Sequence, residues 1–191
     1  MKKKVLLILL IHIAIHGMAQ VSFTLHQYDY YDYTVRSLKP SFSIYAAKDL
    51  GVQFKLTAFS VVNDKWGESL IGLAYNPAKW VAVEVECGIE TNDQEYGYRR
   101  NEIRLAFLLS LTKDKFSFSG IYEYGSFNWL DLRMDYRLKQ FAIGCMASEY
   151  YGAGPMIKYY LGKRPFYLWG SWLYNWASAD KGVMAGMNLK F

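Results

Sequence analysis

The chain has 191 residues, which is enough for one domain and too few for two. Its 22 basic residues exceed its 17 acidic ones by five, but Lys2, Lys3 and Lys4 lie in a segment that we expect to be removed, which leaves 19 against 17. No long basic run remains, so the composition argues against a nucleic-acid partner. Aromatic residues make up 18% of the chain, and this excess suits amphipathic rings at two membrane–water boundaries.

Residues 1–19 predict a secretory signal peptide. Three lysines precede the apolar run VLLILLIHIAI, and Gly17 and Ala19 fit the small-residue positions of a cleavage site before Gln20. The alternative is an N-terminal membrane anchor, but this run has 11 residues, whereas a spanning helix needs roughly 20. No later stretch approaches spanning length, so we interpret residues 20–191 as a single domain that must use strands if it crosses a membrane.

The rest of the chain divides into alternating segments separated by short connections with turn-forming or charged residues. The predicted strands are 21–27, 38–47, 52–62, 67–76, 80–90, 98–111, 115–125, 128–138, 140–150, 154–162, 165–176 and 182–191. Twelve is an even number, as an antiparallel bacterial barrel with both termini in the periplasm requires. A ten-stranded barrel with an irregular N-terminal arm stays open, because residues 28–33 (YDYYDY) have no clean period and Pro40 lies where the second strand should begin.

Strand 80–90 (WVAVEVECGIE) shows the alternation most clearly. One parity is apolar from Val81 to Ile89, and the other carries Glu84, Glu86 and Glu90. In a barrel the apolar parity faces lipid and the polar parity faces the lumen. Cys87 lies on the apolar parity, as Cys145 does in its own strand, so we interpret both as lone small hydrophobes on the lipid face, with a disulfide as the alternative.

The next three strands also carry nearly all their charge on the inward parity. Together with strand 80–90 they predict a charge belt in the lumen, in which Glu84 is opposite Arg104, Arg104 opposite Glu123, and Glu123 opposite Asp131. The belt comprises Glu84, Glu86, Arg100, Glu102, Arg104, Glu123, Asp131, Arg133, Asp135 and Arg137. It is interpreted either as a salt-bridge network that stiffens a closed lumen or as the wall of a narrow passage, and its similar acidic and basic counts argue against strong ion selectivity.

The chain ends MNLKF, with Val183, Ala185, Met187, Leu189 and Phe191 on one parity. A terminal strand of this kind resembles the targeting end of bacterial outer-membrane β-barrels, and the Met-Ala-Gln cleavage site resembles those of Bacteroidota secreted proteins. The resemblance covers the last ten residues and the strand rhythm before them. It implies an outer-membrane location among lipids, recognition of Phe191 by the barrel-assembly machinery, and termini on the periplasmic side.

Three functions follow as hypotheses. The first is a narrow porin-like channel for small solutes, and the second is a closed structural or partner-binding barrel of a surface complex. The third is a lipid-modifying enzyme that uses His26, the histidine left after signal removal, with Ser22 and Asp29 or Asp32. No nucleophile motif surrounds His26, so we expect no enzyme. No metal-ligand spacing or phosphate-binding loop is present, so we expect no cofactor.

Overall fold

A computed structural model of the chain describes residues 21–63, 66–92, 102–162 and 166–191. The signal peptide, predicted for residues 1–19, and Arg100 lie outside the described residues. The strands are β1 (Val21–Asp32), β2 (Ser37–Asp49), β3 (Phe54–Asn63), β4 (Trp66–Ala78), β5 (Val81–Asn92), β6 (Glu102–Lys113), β7 (Phe116–Tyr124), β8 (Trp129–Leu138), β9 (Phe141–Ser148), β10 (Gly152–Tyr160), β11 (Phe166–Asn175) and β12 (Asp180–Lys190).

All pairings are antiparallel, each strand pairs with its sequence neighbours, and β1 also pairs with β12, so the sheet closes into a barrel. The twelve-stranded prediction is therefore confirmed and the ten-stranded alternative is wrong. No helix among the described residues is long and apolar enough to cross a membrane.

The N-terminal segment is more regular than its sequence indicates. Residues 28–32, predicted as loop, continue β1, which pairs with β2 from Val21↔Lys48 to Asp32↔Ser37. Pro40 lies inside β2 opposite Asp29, whereas the described pairing of β2 with β3 begins one residue later at Ser41↔Asn63. A proline is tolerated at the end of a strand ladder, and Pro40 lies just beyond the last described pair of β2 with β3.

The two faces of each strand differ sharply in burial. On β5, Ile89 is 58% exposed and its neighbour Glu90 is 0% exposed, which places the apolar parity outside and the carboxylates inside. Exposed valines, leucines, isoleucines and aromatics cover the outer face of β2–β11, and Met187 is exposed on β12. A patch of this extent is far larger than a soluble monomer exposes and suits a lipid environment. Cys87 and Cys145 are free thiols on this outer face.

The interior is divided into an apolar side and a charged side. The apolar side comes from β1 and β9–β12 and consists of Tyr30, Met146, Met156, Trp169, Leu173 and Met184. Two glycines of β12 make room for its rings: a Cβ on Gly182 would lie 2.2 Å from the Tyr30 ring, and one on Gly186 would lie 2.8 Å from Trp169 Nε1. The charged side comes from β4–β7 and contains Glu68, Glu84, Glu86, Glu90, Arg104 and Glu123, all buried.

The two ends of the barrel differ in the connections that they carry. The terminal end holds Val21, Lys190 and the turns 50–53, 79–80, 114–115 and 139–140, and the opposite end holds the connections 33–36, 125–128, 149–151 and 176–179. Exposed rings lie near both ends, among them Trp80 and Phe141 at the terminal end and Tyr124 and Trp176 at the opposite end.

Closure of the barrel predicts a change of gel mobility on heating. Because every interior strand edge is paired, the folded protein in detergent should resist dodecyl sulfate without heat. We expect the unboiled protein to migrate at a different apparent mass from the boiled one. Identical migration of the two samples after refolding into detergent or lipid would contradict the closed barrel.

Candidate functional site in the barrel interior

A cavity of about 360 Å³ separates the charged side from the apolar side of the interior. It extends from Trp66, the first residue of β4 at the opposite end, to Tyr167, the second residue of β11 at the terminal end. Both sides contribute to its wall, with Glu68 and Glu123 on one and Trp169 on the other. The cavity therefore follows most of the length of the barrel.

Arg104 is the centre of the charged side. Its side chain is 0% exposed, and its guanidinium contacts three carboxylates from three other strands. Nη1 donates to Glu90 Oε2 at 2.5 Å, and Nη2 and Nε donate to Glu123 Oε2 at 2.8 and 3.0 Å. Nε also lies 2.7 Å from Glu68 Oε2, although without the alignment of a hydrogen bond. One cation thus holds β4, β5, β6 and β7 together from within.

The connection between β7 and β8 covers the Arg104 cluster. The Phe127 carbonyl accepts a hydrogen bond from Arg104 Nη1 at 3.3 Å, and Ser126 N donates to Glu90 Oε1 at 2.6 Å. The guanidinium carbon lies 4.5 Å from the Phe127 ring centroid and 5.2 Å from that of Trp66. Contacts of this geometry are favourable cation–π interactions. The connection is therefore anchored to the barrel wall by charge as well as by ring packing.

A continuous series of aromatic rings crosses the opposite end of the barrel. Successive centroids are 4.5 to 5.8 Å apart, within the range of favourable ring pairs. In order, the rings are Tyr30, Tyr151, Trp129, Tyr150, Phe127 and Trp66. Its first contact joins β1 to the β9–β10 connection, and its last contact joins β4 to the β7–β8 connection, so the series narrows the opening. Four of these rings, Trp66, Phe127, Trp129 and Tyr151, line the cavity, so not all of the aromatic excess serves the membrane–water boundaries.

Two basic side chains face the Arg104 cluster from the other wall, and each is already paired. Arg133 Nε lies 2.7 Å from Asp131 Oδ1, with its guanidinium 5.0 Å from the Trp169 ring centroid. Lys158 donates to Asp135 and lies 5.5 Å from the Tyr167 ring centroid. Each of these cations therefore has both a carboxylate and an aromatic ring as partners.

The remaining members of the predicted belt are spread along the barrel. Glu84 and Glu86 are buried nearer the terminal end than Arg104, and Glu102 lies on β6 opposite Glu90. Arg137 is at the terminal end, where it donates to the Lys139 carbonyl and stacks on Tyr160. The charges thus do not form a single ring at one height.

The predicted pairings within the belt were wrong in register. Arg104 is opposite Gly88 rather than Glu84, a shift of four residues. Glu123 is opposite Ala106 and Trp129, so it reaches Arg104 diagonally and is not opposite Asp131. The error arose because the pairings were centred on loops whose lengths do not fix the stagger of the strands.

Sequence reasoning missed Glu68 and Lys158. Each is the lone charge on the inward parity of its strand, Glu68 within GESLIGLA and Lys158 within GPMIKYY. A lone charged residue on the inward side of an apolar strand predicts a partner of opposite charge on another strand, because a buried ion requires one. This pattern could have identified both residues.

The catalytic arrangement considered for His26 does not form. Ser22 and Asp32 lie on the same strand as His26, four and six residues away, or about 13 and 20 Å at the rise of a β-strand. His26 instead lies beside Asn188, whose Nδ2 is 2.8 Å from His26 Nδ1. Asp32 caps the following turn by accepting from Thr34 N at 2.9 Å. Among the residues that the structure describes, no group of three His, Cys, Asp or Glu could hold a metal ion.

Comparison with known proteins supports the class of fold. No family model and no curated protein matches the chain. Among solved structures, the chain is similar to the KdgM porin, with a TM-score of 0.61, 14% identity and coverage of 88% of this chain and 99% of that one. It is also similar to the NanC porin, with a TM-score of 0.57, 10% identity and coverage of 87% and 100%.

Another structure with a similar fold is the outer membrane phospholipase A from Escherichia coli, with a TM-score of 0.56, 14% identity and coverage of 88% and 89%. The chain therefore has the closed, twelve-stranded antiparallel fold shared with these bacterial barrel proteins. At these identities the likeness concerns the fold and not the activity.

Removal of Arg104 should destabilise the barrel strongly. In Arg104→Ala the carboxylates of Glu68, Glu90 and Glu123 would stay buried without a cation, and breaking such a pair typically costs about 3–5 kcal/mol. We expect a lower midpoint of urea unfolding in lipid vesicles, followed by tryptophan fluorescence. The exposed Arg137→Ala is the matched control and should change the midpoint much less. Equal effects of the two substitutions would contradict the bracing role of Arg104.

Proposed function

We propose that the protein is a narrow porin-like channel of the bacterial outer membrane that passes small solutes. The observation that carries this proposal is the cavity beside the Arg104 cluster, which extends from Trp66 near one end to Tyr167 near the other. A volume of about 360 Å³ is at the lower end of the range for small-molecule sites. Such a cavity suits small solutes and not large ones.

The wall of this cavity also suits a passage for hydrophilic solutes. Glu123, Asp131, Arg133 and Lys158 line it and offer hydrogen-bonding groups along the path. The KdgM and NanC porins share this fold, so a channel of this kind can be built on it. In the proposed orientation the terminal end faces the periplasm, and Phe191 is recognised there during assembly.

A closed structural or partner-binding barrel is the second candidate, because the aromatic series narrows the opposite end. In this alternative the Arg104 cluster and the Phe127 connection seal the interior, and the protein acts through its surface. The two candidates differ in whether the folded barrel conducts ions.

Single-channel recording distinguishes them. We expect purified, refolded protein in planar bilayers to give discrete conductance steps. Phe127→Ala should enlarge the steps, because it removes the ring that bridges Trp66 and Tyr150 across the opening. Trp176→Ala is the control, since this ring is 72% exposed and should leave the conductance unchanged.

Absence of steps from both the wild type and Phe127→Ala, with protein shown to be folded by its gel mobility, would refute the channel and favour the closed barrel.

A further inference from the structure

The buried charges of the barrel are strongly unequal. Among the described residues, eight carboxylates are buried and Arg104 is the one buried cation. Three of the eight have a basic partner elsewhere: Asp131 with Arg133, Asp135 with Lys158, and Asp32 with Lys39. The other five lie on β4, β5 and β7, on the same side of the interior as Arg104, and are Glu68, Glu84, Glu86, Glu90 and Glu123.

This imbalance differs from what the sequence indicates. The predicted belt contains similar numbers of acidic and basic residues, but Arg137 lies exposed at the terminal end and Arg133 is engaged with Asp131. The wall formed by β4–β7 consequently holds more carboxyl groups than basic groups. Similar acidic and basic counts along the sequence thus do not give the same balance on each wall of the barrel.

Glu84 and Glu86 carry the part of this excess that Arg104 does not contact. No basic side chain of the described residues lies within 4 Å of either carboxylate. The Tyr45 hydroxyl donates to Glu84 at 3.2 Å, and Tyr45 itself lines the cavity. The pair therefore lies directly behind a cavity-lining ring.

A neighbouring hydroxyl also lacks a partner at this place. Thr57 and Glu86 are both opposite Gly72, on either side of it, so no side chain lies between them on the inner face. Thr57 is 1% exposed and Glu86 2%. Neither Thr57 Oγ1 nor Glu86 Oε1 makes a hydrogen bond. Buried polar atoms without a partner in the protein are rare, so these oxygens are available to a polar or charged solute.

We propose that the passage favours cations over anions, and that Glu84 and Glu86 set this preference as specificity-determining residues. The proposal rests on the channel function described above. The oxygens of Glu84, Glu86, Thr57 and Tyr45 are of the kind that alkali and alkaline-earth cations prefer. Solutes with a positive group, such as metal cations and small amines, are the class that this wall attracts.

The physical basis is the field of unbalanced charge beside a narrow aqueous path. Low-dielectric walls focus the field into the water and raise the local concentration of ions of opposite sign. A single charge about 4 Å from an ion changes its occupancy about fivefold even at the dielectric constant of water. Two adjacent buried carboxyl groups without a basic partner share a proton, so the pair is negative on balance and never positive. Glu84 and Glu86 act on the path from behind Tyr45, and the protein between them and the water screens their field less than water does.

Reversal-potential measurement under a KCl gradient tests the proposal. The wild type should give a potential of the sign for K⁺ permeation. In the double variant Glu84→Gln/Glu86→Gln, which keeps the side-chain volume, the K⁺/Cl⁻ permeability ratio should fall at least about fivefold. The control Asp114→Asn/Glu149→Gln removes two carboxylates from exposed turns and should keep the wild-type ratio.

The outcomes separate this inference from the channel function. Absence of conductance steps refutes the channel itself. Steps without a K⁺ preference in the wild type refute cation selectivity alone. An unchanged ratio in Glu84→Gln/Glu86→Gln refutes the role of this pair, as does an equal fall in the control. If the double variant does not fold, as shown by gel mobility, the single variants Glu84→Gln and Glu86→Gln are measured, and a ratio unchanged in both refutes the assignment.

Discussion

Closure of the sheet between β1 and β12 is the constraint on which the rest of the structure depends. In a hydrocarbon environment a backbone N–H or C=O without a partner costs several kcal/mol, so a strand cannot end the sheet there. The β1–β12 pairing runs from Thr24↔Lys190 to Asp32↔Gly182 and leaves no free edge. Once closure is imposed, every strand has an inside and an outside, and the alternation of the sequence assigns each side chain to one of them.

Apolar side chains from one part of the wall do not fill the interior of the closed barrel, so two kinds of side chain occupy it. Methionines and aromatic rings fill the side of β1 and β9–β12, and an arginine with three carboxylates fills the side of β4–β7. The first filling needs no partners. The second is stable only as a unit, because removing one member leaves the other charges buried and unpaired. The cavity remains where the two fillings do not meet.

The same arrangement links stability to the proposed function. Arg104 lies where the β7–β8 connection folds against the wall, so the group that braces the barrel also fixes Phe127 across its opening. Glu84 and Glu86 lie outside this network. Stability and the proposed selectivity thus depend on different carboxylates of one strand, β5. Substitutions of the two groups therefore test stability and ion selectivity separately.

Much of the fold follows from the sequence itself. A period of two across segments such as WVAVEVECGIE fixes which residues share a face, so the outward placement of Cys87 and Cys145 was predictable. Short turn-forming connections fix the antiparallel order, so the number of strands was predictable as well. The inward placement of Glu84, Arg104 and Glu123 follows from the same parity. The length of β1 was not predictable, because YDYYDY contains polar residues on both parities and only pairing with β2 and β12 holds it in the sheet.

The partners of the charges were decided by the tertiary structure alone. Parity says that Arg104 points inward, but the stagger between strands decides that Glu68 and Glu90 reach it and that Glu84 and Glu86 do not. The stagger is a property of barrel closure and is not encoded in any one hairpin. In the same way, Trp66 and Phe127 have the composition of an interfacial girdle, and only the fold of the β7–β8 connection places them over Arg104. The sequence by itself determined the barrel and its two faces. The stagger of the strands in three dimensions determined which charged side chains have a partner of opposite charge, because an ion pair depends on distances between strands that are far apart in the chain.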